Sequence, residues 1–204
     1  MHVVKNLISP VDVSAAVEKM DIMDLTDEHF NVGVSVKDPS LYSISPTETS
    51  VSFLDLFESL HFSLTKTAEA AFKRVLFPST NFCRIYRGGT GVSQHREGRH
   101  CEYTIAVNLK NVPSDQSWIT WFKVEEGMYG RTMYEGLNPG KLEIALEPGD
   151  AVLYQGSKQP YYRRALPEGA ECYQAYFHYV DINGENAIYC HQNYRDYVKY
   201  KLEM

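Results

Sequence analysis

The sequence contains no apolar run approaching the length of a membrane span. Its N-terminus, MHVVKNLISPVD, has neither the long uncharged core nor the small-residue cleavage site of a secretory leader, so the cytoplasm is the expected compartment. Cysteine is scarce: Cys83, Cys101, Cys172 and Cys190 stand singly. The absence of any Cys-x-x-Cys pair excludes a zinc ribbon and a thioredoxin motif, and in a reducing compartment these residues are expected as buried free thiols. Clustered cations are lacking too. A formal net charge of −6 argues against a nucleic-acid-binding face, while a local arginine can still hold a small carboxylate. There is no internal repeat and no low-complexity tract.

What is present reads as one globular domain. The 204 residues are enough to bury a proper core, and a charged fraction of 23% is too low for wholesale disorder. In SPVDVSAAVEKM, Ser9 can cap a helix, Pro10 suits its first turn and Asp12 favours the positive end of its dipole. The stretch Asn31 to Glu48 alternates and then breaks at prolines, which predicts a strand followed by a loop. From Ser50 to about Val75, Val51, Leu54, Phe57, Leu60 and Leu64, then Ala68, Ala71, Phe72 and Val75, recur at helical spacing, and Pro78 is expected to end that helix.

After Pro78 the character changes. NFCRIYRGG, CEYTIAVNL, SWITWFKVEE, LEIALEPGD, AVLYQGS and AYFHYVDI are short, rich in aromatic and β-branched residues, and separated by Gly and Pro. Closely spaced strands of this kind predict an antiparallel sandwich or barrel. The expected organisation is mainly β with N-terminal helices (α+β): a helical layer at 1–78, a jelly-roll core at 79–182 and a C-terminal tail at 183–204 that packs on the sheet or on a second subunit of a homodimer. Fifteen tyrosines suit such sheets, where an apolar ring packs and the hydroxyl finds a partner. Trp118, Trp121 and Phe122 are expected in the core or in a pocket wall, and Asp150 in a turn bonded to neighbouring backbone. YRGGTG follows a strand and opens no helix, so a turn suits it better than a phosphate loop.

The chemistry concentrates at His95 and Glu97. On extended backbone, residues two apart project to one face, so an imidazole and a carboxylate could reach one metal ion. A facial set of two histidines and one carboxylate with open positions is the usual holder of non-haem Fe(II) for oxygen chemistry. Alone, His-x-Glu is also common surface polarity.

From about Pro78 to Tyr179 the chain resembles a bacterial, prolyl-4-hydroxylase-like branch of the Fe(II)/2-oxoglutarate-dependent oxygenase superfamily. The residues that carry the resemblance are RIYRGGTGVSQHREGRHCEYTIAVNL, PGDAVLYQG (Pro148 to Gly156), QPYYRRALPEG (Gln159 to Gly169) and QAYFHYVD (Gln174 to Asp181), in the branch's order and spacing. The resemblance implies a double-stranded β-helix fold, His95 and Glu97 as metal ligands, Fe(II) and 2-oxoglutarate as cofactors, and hydroxylation of a small-molecule or peptide substrate. It also exposes two departures. Glu97 replaces the usual Asp, and Tyr161 stands where the distal histidine belongs. A neutral phenol is a poor Fe(II) ligand, since its ordinary pKa is about 10.

Three explanations stay open for Tyr161. In the first, waters and 2-oxoglutarate complete the iron, with Tyr161 replacing the third ligand or orienting a bound water; in the second, another histidine (His178, His100 or His191) moves in; in the third, the site has lost iron and the protein is a ligand-binding or scaffold module. A metal-dependent oxidase of the same fold that dispenses with 2-oxoglutarate would account for the missing distal histidine together with a second gap. The family's cation on the strand after the distal histidine is missing from EGAECYQAY. Tyr86, Arg84 and Arg163 are the substitute candidates for binding the co-substrate, because an arginine fork matches a carboxylate bidentately.

Overall fold

Helix α1 (Pro10–Leu25) begins at the expected cap: the Ser9 hydroxyl accepts the Asp12 amide at 3.2 Å and donates to the Asp12 carboxylate at 2.7 Å. Val13, Ala16 and Met20 form its buried stripe at three- and four-residue spacing. Helix α2 (Val51–Phe72) buries Phe57, His61, Leu64 and Ala68 in the same way. These elements come from a computed structural model that describes residues 1–25, 41–44, 51–123 and 140–190.

The end of α2 corrects the sequence expectation. The helix stops at Phe72, where Lys73 adopts a left-handed φ of 53° and its amide donates to the Glu69 carbonyl at 2.8 Å. The Glu69 carboxylate then accepts the Leu76 amide at 3.2 Å, which ties the helix to the strand that follows. Pro78 terminates nothing. It lies inside β3 (Leu76–Arg87), opposite Tyr179, where the register of the partner strand shifts between Phe177 and Tyr179. An irregular ladder position tolerates a residue with no N–H.

Ten strands are described, and every pairing is antiparallel. β1 (His2–Val4), β2 (Leu41–Ile44), β3, β5 (Tyr103–Val112), β8 (Ala151–Tyr154) and β10 (Glu171–Asp181) form a six-stranded sheet ordered β1-β8-β5-β10-β3-β2. β4 (Val92–His95), β6 (Thr120–Lys123), β7 (Lys141–Ile144) and β9 (Tyr161–Arg163) form a four-stranded sheet ordered β4-β9-β6-β7. The N-terminal segment thus supplies both edges of the large sheet as well as the helices. Leu41–Ile44, expected as loop, is a strand because the β3 edge offers its backbone a ladder. The alternating stretch before it lies outside the described residues, as does the C-terminal tail from residue 191.

Two apolar layers result. Ile8, Met20, Phe57 and Leu64 pack with Ile105, Ala175, Phe177 and Tyr179 between the helices and the large sheet. Tyr86, Val152, Tyr154 and Tyr176 of the large sheet pack with Trp118, Phe122, Ile144 and Tyr161 between the two sheets. β10 faces both layers in turn, which is why nine of its eleven residues are buried and its sequence shows no polar alternation.

The turn before β8 ties the N-terminus down. Asp150 accepts the Asn6 and Glu147 amides at 3.0 Å each and the Lys5 ammonium at 2.6 Å. The four cysteines are free and buried, as expected. No described helix is long and apolar enough to cross a membrane.

Candidate active site

β4 ends at His95, which lies opposite Tyr161 of β9. The His95 Nδ1 sits 2.8 Å from the Ser93 carbonyl oxygen, which can only accept, so Nδ1 carries the proton. In the neutral ring the free lone pair is therefore on Nε2, and Nε2 is 3.8 Å from Glu97 Oε1. The two candidate ligands that sequence spacing places together do converge.

The carboxylate is held from several sides. Its backbone amide donates to the Gly156 carbonyl at 3.0 Å. Gly156 must be glycine for this approach, since a Cβ there would meet the Cys101 carbonyl oxygen, Thr104 Oγ1 at 2.6 Å and Glu97 Cγ at 3.0 Å. Glu97 Oε1 accepts the Tyr161 hydroxyl at 2.6 Å and lies 3.5 Å from that of Tyr154. Burial opposes ionisation of Glu97, but the His95 ring beside it, His178 and the Tyr161 hydroxyl outweigh it and hold its carboxyl down at about 2. Glu97 is therefore an anion at neutral pH. The neighbouring Glu97 carboxylate outweighs burial at His95 and raises its pKa by favouring the doubly protonated ring.

Without a metal ion, Tyr161 is a neutral phenol. Burial, then the neighbouring Tyr154 and Glu97, push its phenol well above the usual value, so the oxygen stays protonated and spends its hydrogen on Glu97. His178 is fully buried, with Nδ1 3.1 Å from Thr104 Oγ1 and Nε2 without a partner. Burial lowers its pKa to about 4, so it is neutral. Among the described residues no three His, Cys, Asp or Glu side chains stand close enough to hold a metal ion, so His178 does not complete a triad. His100 is exposed on a single 3-10 turn (Arg99–Cys101), and His191 lies outside the described residues.

A metal test is still met in part. Two neighbouring ligands about 2.1 Å from one ion stand about 3 Å apart, so a contraction of under about 1 Å would bring His95 Nε2 and the Glu97 carboxylate into range. Two positions fit a divalent cation; the Tyr161 position does not.

The three co-substrate candidates share the layer between the sheets but differ in environment. Tyr176 donates its hydroxyl hydrogen to Gln174 Oε1 at 2.6 Å, so at the 2.9 Å contact between Tyr86 and Tyr176 it is Tyr86 that donates. Arg163 Nη1 donates to the same Gln174 oxygen. Its guanidinium carbon lies 4.7 Å from the Trp118 ring centre and 6.0 Å from that of Tyr86, and its Nε is buried without a partner. Arg84, half-buried on β3, lies 4.6 Å from the Phe82 ring centre and also has a buried Nε without a partner. Sequence reasoning missed Tyr154, Gln174 and Tyr176. Alternation along AVLY and CYQAYFH was the available signal, since it puts them on the same faces as Val152, Cys172 and His178.

No protein family and no curated protein matches the sequence. Solved structures do match the fold. The epimerase SnoN of nogalamycin biosynthesis, in complex with Fe3+, alpha-ketoglutarate and nogalamycin RO, aligns with a TM-score of 0.65 at 13% identity, over 88% of this chain and 78% of its own. A prolyl hydroxylase from Trichoplax adhaerens, in complex with a peptide of the hypoxia-inducible factor oxygen degradation domain, aligns with a TM-score of 0.65 at 13% identity, over 92% and 86%. A Pseudomonas putida prolyl-4-hydroxylase aligns with a TM-score of 0.60 at 12% identity, over 88% and 91%. At such identities the likeness establishes architecture: this chain has the fold of iron- and 2-oxoglutarate-dependent oxygenases.

Proposed function

We propose that the chain is a cytoplasmic non-haem iron oxygenase of the 2-oxoglutarate-dependent type, built on a double-stranded β-helix, with a two-residue protein ligand set. The observation that carries this reading is the approach of His95 Nε2 to Glu97 at 3.8 Å in the tautomer whose lone pair faces the carboxylate. His95 would ligate as a neutral imidazole and Glu97 as the anion. Tyr161 would hold Glu97 in place and orient a bound water in the third position. Arg163 has a buried unpartnered Nε and would take the distal carboxylate of 2-oxoglutarate, with Tyr86 beside it. When bound, Fe(II) and 2-oxoglutarate supply activation of O2 and the two electrons that accompany substrate oxidation, leaving succinate and CO2.

The protein's own contribution is to orient that chemistry and to dry one side of it. Tyr154, Tyr161, Phe122 and Tyr176 are each no more than 5% exposed and close the inner side of the site against water, while the His95 ring stays exposed on the outer side. The substrate is a small molecule or a peptide; the SnoN and Trichoplax structures hold one of each.

A second reading, a metal-poor ligand-binding module, is favoured by the 2.6 Å bond from Tyr161 to Glu97, which satisfies the carboxylate without any ion. Anaerobic loading with Fe(II) followed by metal analysis separates the two. The oxygenase reading expects one iron per chain, lost in His95→Ala, and succinate release on adding 2-oxoglutarate. An iron-free wild-type protein would leave only the second.

A further inference from the structure

Among the described residues, charge does not balance between the sheets. Two guanidinium groups, Arg84 and Arg163, reach this layer, and the acid whose charge acts on Tyr154, Tyr161 and His178 there is Glu97. Among the described residues neither arginine has a carboxylate in ion-pair range. Glu97 is committed to His95 and Tyr161. Arg163 is a buried cation and Arg84 a half-buried one, each with a buried Nε that has no partner, and keeping two such charges in one layer without a described acid beside either favours anionic occupants.

The two arginines are not equivalent. Arg163 is 3% exposed, bonded to Gln174 and enclosed by the Tyr86 and Trp118 rings. Arg84 lies two residues before Tyr86 on the same strand, with its β10 pairing partner at Gln174. Its Nε is buried, while the residue as a whole keeps partial access to solvent. Both charges act on Tyr161 and Tyr176, but that of Arg84 also acts on His95, Cys101 and His178, the metal end of the layer, whereas that of Arg163 also acts on Cys172 and Tyr154. A co-substrate with two carboxylates, one on the metal and one on Arg163, leaves the charge of Arg84 unmatched.

We propose that Arg84 is the recognition residue for a carboxylate carried by the substrate, so that this enzyme acts on an anionic small molecule or on a peptide presenting an acidic group beside the oxidised carbon. The label "substrate" rests on the oxygenase reading; the anion site itself needs no metal.

Two measurements test it. On metal-free protein, ligand-observed NMR with acetate and its neutral isostere acetamide reads the anion site directly. Acetate should bind and acetamide should not; Arg84→Gln should weaken acetate at least ten-fold, with Arg84→Lys between. Equal binding of both probes, no acetate binding, or acetate binding unchanged in Arg84→Gln overturns the proposal. On protein loaded with Zn(II), calorimetry with 2-oxoglutarate assigns the two cations. Arg84→Gln should leave its Kd within two-fold, while Arg163→Gln, or Arg163→Lys if the former does not fold, should raise it ten-fold or more. The reverse pattern makes Arg84 the co-substrate anchor and defeats the proposal. Failure of the iron-loading experiment with the acetate result intact would instead remove the oxygenase reading and leave an anion-binding module.

Discussion

The two faces of β10 are built from alternate residues of one strand and follow different rules. Tyr173, Ala175, Phe177 and Tyr179 face the helices, where the tyrosine hydroxyls find Asp21 at 2.8 Å and the His61 carbonyl at 2.9 Å. Cys172, Gln174, Tyr176 and His178 face the small sheet, and there Arg84 Nε, Arg163 Nε and His178 Nε2 are buried without partners, against Asn81 Oδ1 beside His61 on the helix side. Native interiors rarely leave such atoms unpaired, and those that do usually keep them for a ligand or a reaction. The helix side is there for stability, and the inter-sheet side gives some of that stability up.

The comparison can be broken most forcefully on the helix side. Phe177→Ala removes a fully buried ring that stacks on Phe57 at 6.3 Å, and should cost about 3–5 kcal/mol in a denaturant melt. A loss below about 1 kcal/mol would mean that this layer is not what holds the fold.

The next effect is a pH dependence from the site side. The folded pKa of His178, about 4, lies below the unfolded value near 6.5. As pH falls through 6.5 the unfolded state takes up a proton that the folded state refuses. Stability is then lost progressively down to about pH 4, by about 3 kcal/mol in all. His178→Gln should flatten that part of the profile in melts at stepped pH.

Tyr161→His comes third, with an expected gain in Fe(II) affinity of about ten-fold, or about 1.4 kcal/mol, by competition with a chelator. Unchanged affinity would mean that the β9 position no longer points at the metal. The smallest effect sharpens the contrast: Arg163→Met replaces an unpaired buried cation with an apolar chain and should alter stability by no more than about 1 kcal/mol, in either direction. A loss as large as that of Phe177→Ala would make Arg163 structural.

Much of this was legible in the chain. The Ser9 cap, the α2 stripe, the aromatic strands and the one-residue spacing of His95 and Glu97 are local patterns, and each appears where it was read. Pro78 was misread because its tolerance depends on a register shift in β10, about a hundred residues along. Leu41–Ile44 was misread for a similar reason, since an edge strand needs a neighbour more than a propensity.

By itself the sequence determined which segments could be helix or strand and that an imidazole and a carboxylate would share one face, because caps, periodicity and two-residue spacing act over a few bonds. Only the tertiary structure decided that the Tyr161 hydroxyl would bond a carboxylate 64 residues away, and that Arg84 and Arg163 would enter one layer with no acid of their own among the described residues. Those outcomes depend on which strands pair and which face turns inward, and a pairing is chosen by the burial of the whole sheet.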